Sequence, residues 1–362
     1  MKFITAFDSF KGSLSAADAC HAAAQGLRSS YPDAEVLELP LSDGGEGLVN
    51  CVRQRLTVRP ITLTAHGPLM EPLQATYVLS ADGRTAYMEM AATSGLPLVP
   101  QTQRDPTRTT TYGVGDMIAD AIGRGCTQIV MGIGGSATND GGQGMIRALQ
   151  DRGMIGTGQD DGRIIDPRLQ QCQIRVACDV GNPLCGPMGA SHIFGPQKGA
   201  TPQQVLWLDE QLRQFAQRTV DAGIATPELQ DRPGTGAAGG LGYGLMAYLD
   251  AELHSGIDIM LDLLHFDQQI AGAALVLTGE GCSDPQTLMG KVPHGVWRRC
   301  QAQGIPVALL SGAILDPEGT LAAHFQIVQS INADDPRPLE QLMQPEVARE
   351  NLRYTVSRLR DF

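Results

Sequence analysis

The chain opens with the alternation of apolar and polar stretches that builds a parallel sheet. Phe3 to Phe7 is a short apolar run and reads as a strand. Ser15 is placed to cap a helix running to about Leu27, with Asp18 in its first turn. A second strand is expected over Ala34 to Leu39, then a glycine-bearing loop and a helix to about Arg55. The texture then changes. Ile61 to Thr64, Ala75 to Leu79 and Thr85 to Met90 are short alternating runs with turns at Gly67-Pro68 and Asp82-Gly83, which suggests antiparallel pairing. A helix over Val114 to Ile122 leads to a buried strand, Ile129 to Ile133, which runs into a loop from Gly134 to Gly142 and a helix from Met145. Ile174 to Cys178 is a strand ending at Asp179, and Pro202 opens a helix to about Ala222. Thr235 to Gly244 is a glycine run, expected to be flexible, ahead of a helix over Leu245 to Leu253. The strand–helix rhythm resumes with strands over Ala274 to Leu277, Pro306 to Leu310 and Phe325 to Val328, a helix to about Gln303 and a C-terminal helix.

Strands of the parallel type therefore fall at both chain ends, with antiparallel-type strands between them. The expected architecture is α/β with two domains: a doubly wound parallel sheet from about 1–60 and 270–362, interrupted by an inserted domain of about 61–269. Ligands of an open α/β sheet gather beyond the carboxyl ends of its strands. Here those ends are Asp8 to Lys11, Ser42 to Glu46, Gly279 to Gly281 and Ser311-Gly312, all polar or glycine-rich.

Composition narrows the picture. With 42% hydrophobic and 18% charged residues, the 362-residue chain is globular and long enough for two domains. Its net charge of −12 argues against a nucleic-acid partner. No stretch reads as a signal peptide or a membrane span, so a cytoplasmic protein is expected. The eight cysteines form no C-x-x-C pair and no zinc spacing, and read as free thiols. Only four of the 27 basic residues are lysines, and Lys11, Lys198 and Lys291 lie in polar, glycine-bearing loops.

Lysine-bearing loops, carboxylates at strand ends and glycine-rich turns are the ingredients of phosphoryl transfer, which needs neutralised charge, a divalent metal and a group to orient the attacking hydroxyl. Lys11 and Lys291 are candidates for anion charge. Asp8, Asp43, Glu46, Asp140, Asp179, Glu280 and Asp284 are candidate metal ligands or bases. The P-loop pattern is absent, because Val292 follows Lys291 where Ser or Thr should stand. The dinucleotide pattern lacks its acidic ribose partner, which disfavours an NAD-dependent oxidoreductase.

Taken in order, Asp8 to Lys11, Asp43 to Gly47, Gly132 to Gly142, Ala177 to Asp179, Phe194 to Gly199, Ala238 to Gly240 and Gly279 to Gly281 with Asp284, Gln286-Thr287 and Gly290-Lys291 resemble the first type of glycerate kinase, a glycerate 2-kinase. The resemblance implies an ATP- and Mg²⁺-dependent kinase acting on the 2-hydroxyl of D-glycerate. It also implies a flavodoxin-like domain interrupted by a mixed-sheet α/β domain, with the site in the cleft between them. On this reading Lys11, Asp179, Asp284 and Lys291 carry catalysis, with Asp179 or Asp284 orienting or deprotonating the hydroxyl. Substrate and nucleotide would be bound by Asp8, Ser9, Asp43, Gly44, Gly45, Glu46, Gly134, Gly135, Ser136, Thr138, Asn139, Asp140, Lys198, Glu280, Gln286 and Thr287, and Mg²⁺ by Asp43 and Asp179. Three positions depart from the family pattern. Cys282 stands where arginine is usual, Pro285 stiffens the same loop, and Val114 replaces a small hydroxyl residue. These leave two alternatives: a kinase for another small hydroxy acid, or an inactive nucleotide- or metabolite-binding relative. Glycerate and ATP are the expected partners, and nothing in the sequence excludes a homo-oligomer.

Overall fold

The computed structural model describes residues 1–42, 47–157 and 163–360. Its strands, in chain order, begin with β1 (Lys2–Thr5) and β2 (Glu35–Glu38). The middle of the chain supplies β3 (Val58–His66), β4 (Pro72–Ser80), β5 (Thr85–Glu89), β6 (Gln128–Gly132), β7 (Ile155–Thr157), β8 (Arg163–Ile165), β9 (Gln173–Ala177) and β10 (Glu252–His254). The C-terminal part adds β11 (Leu275–Thr278), β12 (Cys282–Ser283), β13 (Val307–Ser311), β14 (Ala313–Ile314) and β15 (Ile327–Ser330). The fold divides into two compact units, Met1–Asp43 with Ile257–Phe362, and Gly44–Gly256.

In the first unit β1, β2, β11, β13 and β15 form one five-stranded sheet in the order β2-β1-β11-β13-β15, with every neighbouring pair parallel. Counted within the unit this is the flavodoxin-like order 2-1-3-4-5. Successive side chains of a strand face opposite ways, and the core splits accordingly. Phe3, Leu275, Leu277, Ala308 and Leu310 pack against the helices Ala16–Ser30 and Pro345–Ser357. Ile4, Val276, Val307 and Leu309 pack on the other face against Gly256–Leu263 and Val292–Gln301. Both faces are covered, as a parallel sheet requires. Ser15 caps its helix as expected, its hydroxyl accepting the Asp18 N–H at 3.1 Å. That helix turns small residues inward (Ala19, Ala22, Ala23 and Gly26), which lets the C-terminal helix lie close; a Cβ on Gly26 would strike the Arg353 carbonyl and the Val356 side chain.

The second unit holds a six-stranded mixed sheet, β10-β9-β6-β5-β4-β3, in which the β3–β4 and β4–β5 pairs are antiparallel and the other pairs parallel. Its boundaries fall earlier than 60/61 and 269/270. Helix Leu48–Arg55 packs on β4 and β5, and Ile257, Leu261 and Phe266 join the core of the first unit.

Two local expectations change. Residues 252–254 are not the end of a helix but β10, which pairs in parallel with β9. The glycine run is not a flexible lead-in. Helix Ala237–Leu249 already includes part of it, with left-handed backbone at Ala238, Gly239 and Gly240. The 138–142 backbone passes directly against this kink. A Cβ on Gly239 would collide with the Thr138 carbonyl and the Asn139 Cα, and one on Gly240 with the Gly141 Cα.

Close packing, not turn geometry alone, therefore fixes Gly239. Gly153 shares its left-handed backbone (φ +67° against +68°) but has open space around it. Gly153→Ala is expected to destabilise by about 1–2 kcal/mol, the left-handed penalty alone. Gly239→Ala should lose clearly more, because backbone must move. Urea unfolding of the two variants checks this, and equal losses would refute the packing explanation.

Candidate functional site

In a 2-1-3-4-5 sheet the chain reverses direction of travel between its first and third strands, here β1 and β11, and the loops that leave them diverge. A cavity of about 550 Å³ lies there, walled by the segments that follow β1, β11, β13 and β15.

Part of the cavity lining is polar. Asp8, Ser9 and Lys11 come from the loop after β1, and Glu280 and Lys291 from the segment after β11. The two loops are tied by backbone: the Asp8 N–H donates to the Gly279 carbonyl at 3.0 Å. Gly279 itself presses on the Leu310 carbonyl and leaves no room for a Cβ. Glu280 is buried and anchored, its Oε1 accepting from Thr287 Oγ1 at 2.7 Å and Ser283 Oγ at 3.1 Å. Its Oε2 stands 3.5 Å from Lys291 Nζ, and Asp284 Oδ1 is 4.0 Å from the same ammonium. Asp284 caps the short turn Pro285–Leu288 by accepting the Gln286 N–H at 2.8 Å, and Thr287 completes a reciprocal cap. Pro285 occupies the first position of that turn, where no N–H is needed. Lys291 is the N-cap of helix Val292–Gln301, so its ammonium and the N–H groups of that terminus present positive charge together. Lys11 is exposed and has no ionic or hydrogen-bonding partner among the described residues. Ser13 Oγ, on the cavity wall, is buried with no hydrogen-bond partner.

Cys282 also lines the cavity and is exposed. Partial burial and the carboxylates of Asp284 and Glu280 push its thiol pKa up, so it stands as a neutral thiol. Its strand β12 pairs in parallel with β14, which fixes the loop after β11 beside the loop after β13.

Apolar side chains complete the lining: Leu315, Ile331, Leu339, Leu342 and Met343. Leu339 and Leu315 are 68% and 61% exposed, high for leucines. The chain just after Ile331 is held by side-chain hydrogen bonds. Asn332 donates to the Gly312 carbonyl at 2.9 Å and accepts from Asn351 Nδ2 at 2.9 Å. Asn351 also donates to Asp335, whose carboxyl the Arg337 guanidinium holds well below the usual carboxylate range. These apolar residues escaped sequence reasoning because they come from three segments and follow no period. Ser13 escaped it too, as one hydroxyl among many.

The loop after β6, in the second unit, is differently built. Gly134 and Gly135 remain accessible, but Ser136, Thr138 and Asn139 are buried. Asp140 accepts from the backbone N–H groups of Thr111, Gly142 and Gly144 and from the Thr111 hydroxyl, so its carboxylate holds the loop's own turn. Asn139 donates to Ser191 Oγ at 2.9 Å. Lys198 is 2% exposed and donates to Ser136 Oγ and the Thr138 carbonyl, both at 2.7 Å. Burial pushes its pKa down to about 7, against a smaller opposing pull from Asp140. A neutral amine has two N–H donors, and both are used here.

Asp179, at the end of β9, accepts the Gly256 N–H at 2.8 Å. Gln286 is exposed next to Asp284. Val114 is fully buried in the core of the second unit and reaches no surface. The expectations for Asp43, Gly44, Gly45 and Glu46 fall outside the described residues. Among the described residues no group of three or more His, Cys, Asp or Glu side chains is arranged to hold a metal, and no helix is long and apolar enough to cross a membrane.

The depressed Lys198 pKa has a thermodynamic consequence. Between the folded value near 7 and the ordinary value of 10.5, the unfolded chain binds a proton that the folded chain has released. Stability contributed through this group therefore rises with pH across that window, by at most about 1.4 kcal/mol per pH unit. Relative to Lys198→Met, the wild type should gain thermal stability from pH 7 to pH 10. Parallel pH curves for the two proteins would show that the amine is not titrating near neutrality.

The model of the glycerate kinase family matches residues 3–361. The chain is 43% identical over 354 residues to a protein named glycerate 2-kinase in Escherichia coli strain K12, with 92% of each chain covered. It is 44% identical over 338 residues to one named glycerate kinase in Bacillus subtilis strain 168, covering 90% of this chain and 88% of the other. A solved structure from Salmonella typhimurium LT2, provisionally named glycerate kinase 2, superposes with a TM-score of 0.80 at 40% identity, covering 99% of this chain and 96% of the other. The chain is a kinase and belongs to the glycerate kinase family.

Proposed function

We propose that this protein transfers the γ-phosphoryl group of ATP to the 2-hydroxyl of D-glycerate, giving 2-phosphoglycerate, in the cytoplasm. The observation that carries the reading is the polar lining of the cavity at the β1–β11 divergence, to which two lysines and two carboxylates come from different loops. Phosphoryl transfer between two anionic reactants needs such charge, because catalysis is chiefly positioning and electrostatic stabilisation. Lys291 is held by carboxylates only at 3.5 and 4.0 Å, so its ammonium can turn to a phosphate without breaking a short ion pair. Lys11, which has no ionic or hydrogen-bonding partner among the described residues, suits the carboxylate of glycerate or a second phosphate. Asp284 hydrogen-bonds through one oxygen and lies within reach of Lys291; with its other oxygen it would orient the 2-hydroxyl. Magnesium accompanying the triphosphate would neutralise its charge, and a metal that keeps most of its water needs only one or two carboxylates. Asp8 and Glu280 on the cavity wall fit that requirement.

Cys282 favours one second reading. It faces the cavity where the family pattern has arginine, so a different small hydroxy acid could be the acceptor. A panel of C3 and C4 hydroxy acids separates the two.

With Mg²⁺ and ATP, D-glycerate should release ADP, and NMR of the product should place phosphorus on the 2-oxygen. A folded, Mg²⁺-supplied sample that turns over another acid and not glycerate would overturn the substrate. Ligand-induced stabilisation without turnover of any acid would overturn the enzyme reading. Lys291→Ala should lower kcat/KM by about 100-fold or more; unchanged turnover would remove Lys291 from the site.

A further inference from the structure

The second unit brings together a serine, a lysine and a carboxylate that phosphoryl transfer in the β1–β11 cavity leaves unused. Lys198, in the short turn Pro196–Lys198, places Nζ 2.7 Å from Ser136 Oγ in the loop after β6. Burial makes Nζ an amine rather than an ammonium once the pH passes about 7. A lone pair on Nζ, turned to Oγ, can then take the serine proton across that contact. Asp140 pulls the lysine pKa the other way, so its carboxylate steadies the ammonium that forms when the proton arrives. Asp140 is itself fixed by the N–H groups of Thr111, Gly142 and Gly144. The backbone supplies an independent feature. The N–H groups of Gly134, Gly135 and Ser136 meet no acceptor among the described residues, and Gly135 is exposed with a left-handed backbone, φ +69°. Successive unpaired N–H groups around such a residue make a concavity for negative charge, which is what a carbonyl oxygen under attack requires.

The geometry points to a second activity in this chain, hydrolysis of esters of small carboxylic acids, with Ser136 as nucleophile, Lys198 as its general base and the Gly134–Ser136 backbone as the oxyanion site. Serine paired with lysine performs such chemistry on unrelated folds. Ser136 Oγ bonds to the ester carbonyl carbon and its proton passes to Lys198 Nζ, while the carbonyl π pair moves onto oxygen. As the carbonyl re-forms, the bond to the alkoxy oxygen breaks and the alcohol leaves with the proton from Nζ. Water then attacks the acyl-serine. Its proton returns through Nζ to Ser136 Oγ, and the free acid departs. The sum is ester plus water giving acid plus alcohol, with no cofactor. Ser136 is 8% exposed, so the acyl group it accepts is small.

The test uses p-nitrophenyl acetate with the full chain and no ATP. The wild type should release nitrophenolate, and protein quenched in acid should carry an acetyl group on Ser136, read by peptide mass spectrometry. The rate of acetylation should rise with pH and level off above about 7, where Lys198 has lost its proton. Ser136→Ala should abolish the acetyl-peptide, and Lys198→Met should slow acetylation by about 100-fold or more. Thermal unfolding checks that both variants fold. If Lys198→Met does not fold, the pH profile of the wild type decides. A folded wild type that carries no acetyl on Ser136, or carries it only on other residues, overturns the proposal. Acetylation of Ser136 that is equally fast in Lys198→Met, or that keeps rising well past the Lys198 pKa, shows a lysine that only holds the loop and overturns the general base.

Discussion

Parallel pairing is the constraint on which the first unit depends. Strands that run the same way must deliver their carboxyl ends to one edge, and the loops that follow them gather there whatever their separation in sequence. Phe3 lies opposite Leu275 because backbone groups in a parallel ladder must be satisfied. Lys11 and Lys291 reach one cavity as a result of that register. The Gly279 contact with the Leu310 carbonyl and the β12–β14 pairing then set the spacing of the loops to within the width of a side chain.

The two glycine-rich regions of the second unit show how the same residue type can serve packing. The 138–142 backbone and the kinked start of helix Ala237–Leu249 touch along their main chains, so neither can carry a Cβ at the contact. Polar side chains brought in with that loop are buried with it. Lys198, Thr138 and Asn139 lie in this interior, and Thr138 Oγ1 and Asn139 Oδ1 have no hydrogen-bond partner there. A buried amine beside two unfilled polar atoms is an expensive arrangement, and it is partly relieved by the amine's readiness to lose its proton.

Much of this was legible in the sequence, for identifiable reasons. The strand–helix alternation at both ends gave the parallel sheet, since Phe3 to Phe7 and Ala274 to Leu277 are apolar on both faces as doubly covered strands must be. The change to alternating runs after Ile61 marked the antiparallel part of the inserted sheet. Asp284 stood out as a carboxylate in a polar, glycine-bearing loop, and Thr287 through the family resemblance. What stayed hidden depends on contacts between distant segments. A glycine that permits a close approach looks like one that permits flexibility, so 235–244 was misread. The polar residues from Ser136 to Asp140 look alike whether they face a ligand or their own loop. Residues 252–254 are too short to show a period. Leu315, Leu339 and Met343 carry no common pattern, because only the fold makes them neighbours.

The split of the first unit across the chain also sets an order of events during synthesis. β1, the helix Ala16–Ser30 and β2 are made before the second unit, yet the other neighbour of β1 in the sheet, β11, follows that entire unit. The alanine-rich face of that first helix waits longer still, because its partner helix Pro345–Ser357 lies near the end of the chain. The second unit, continuous in sequence, can close its core while this amino-terminal piece remains an unfinished sheet edge with an uncovered apolar face. Such a nascent chain exposes its aggregation-prone surface for most of translation, and the completed cavity is among the last features to exist.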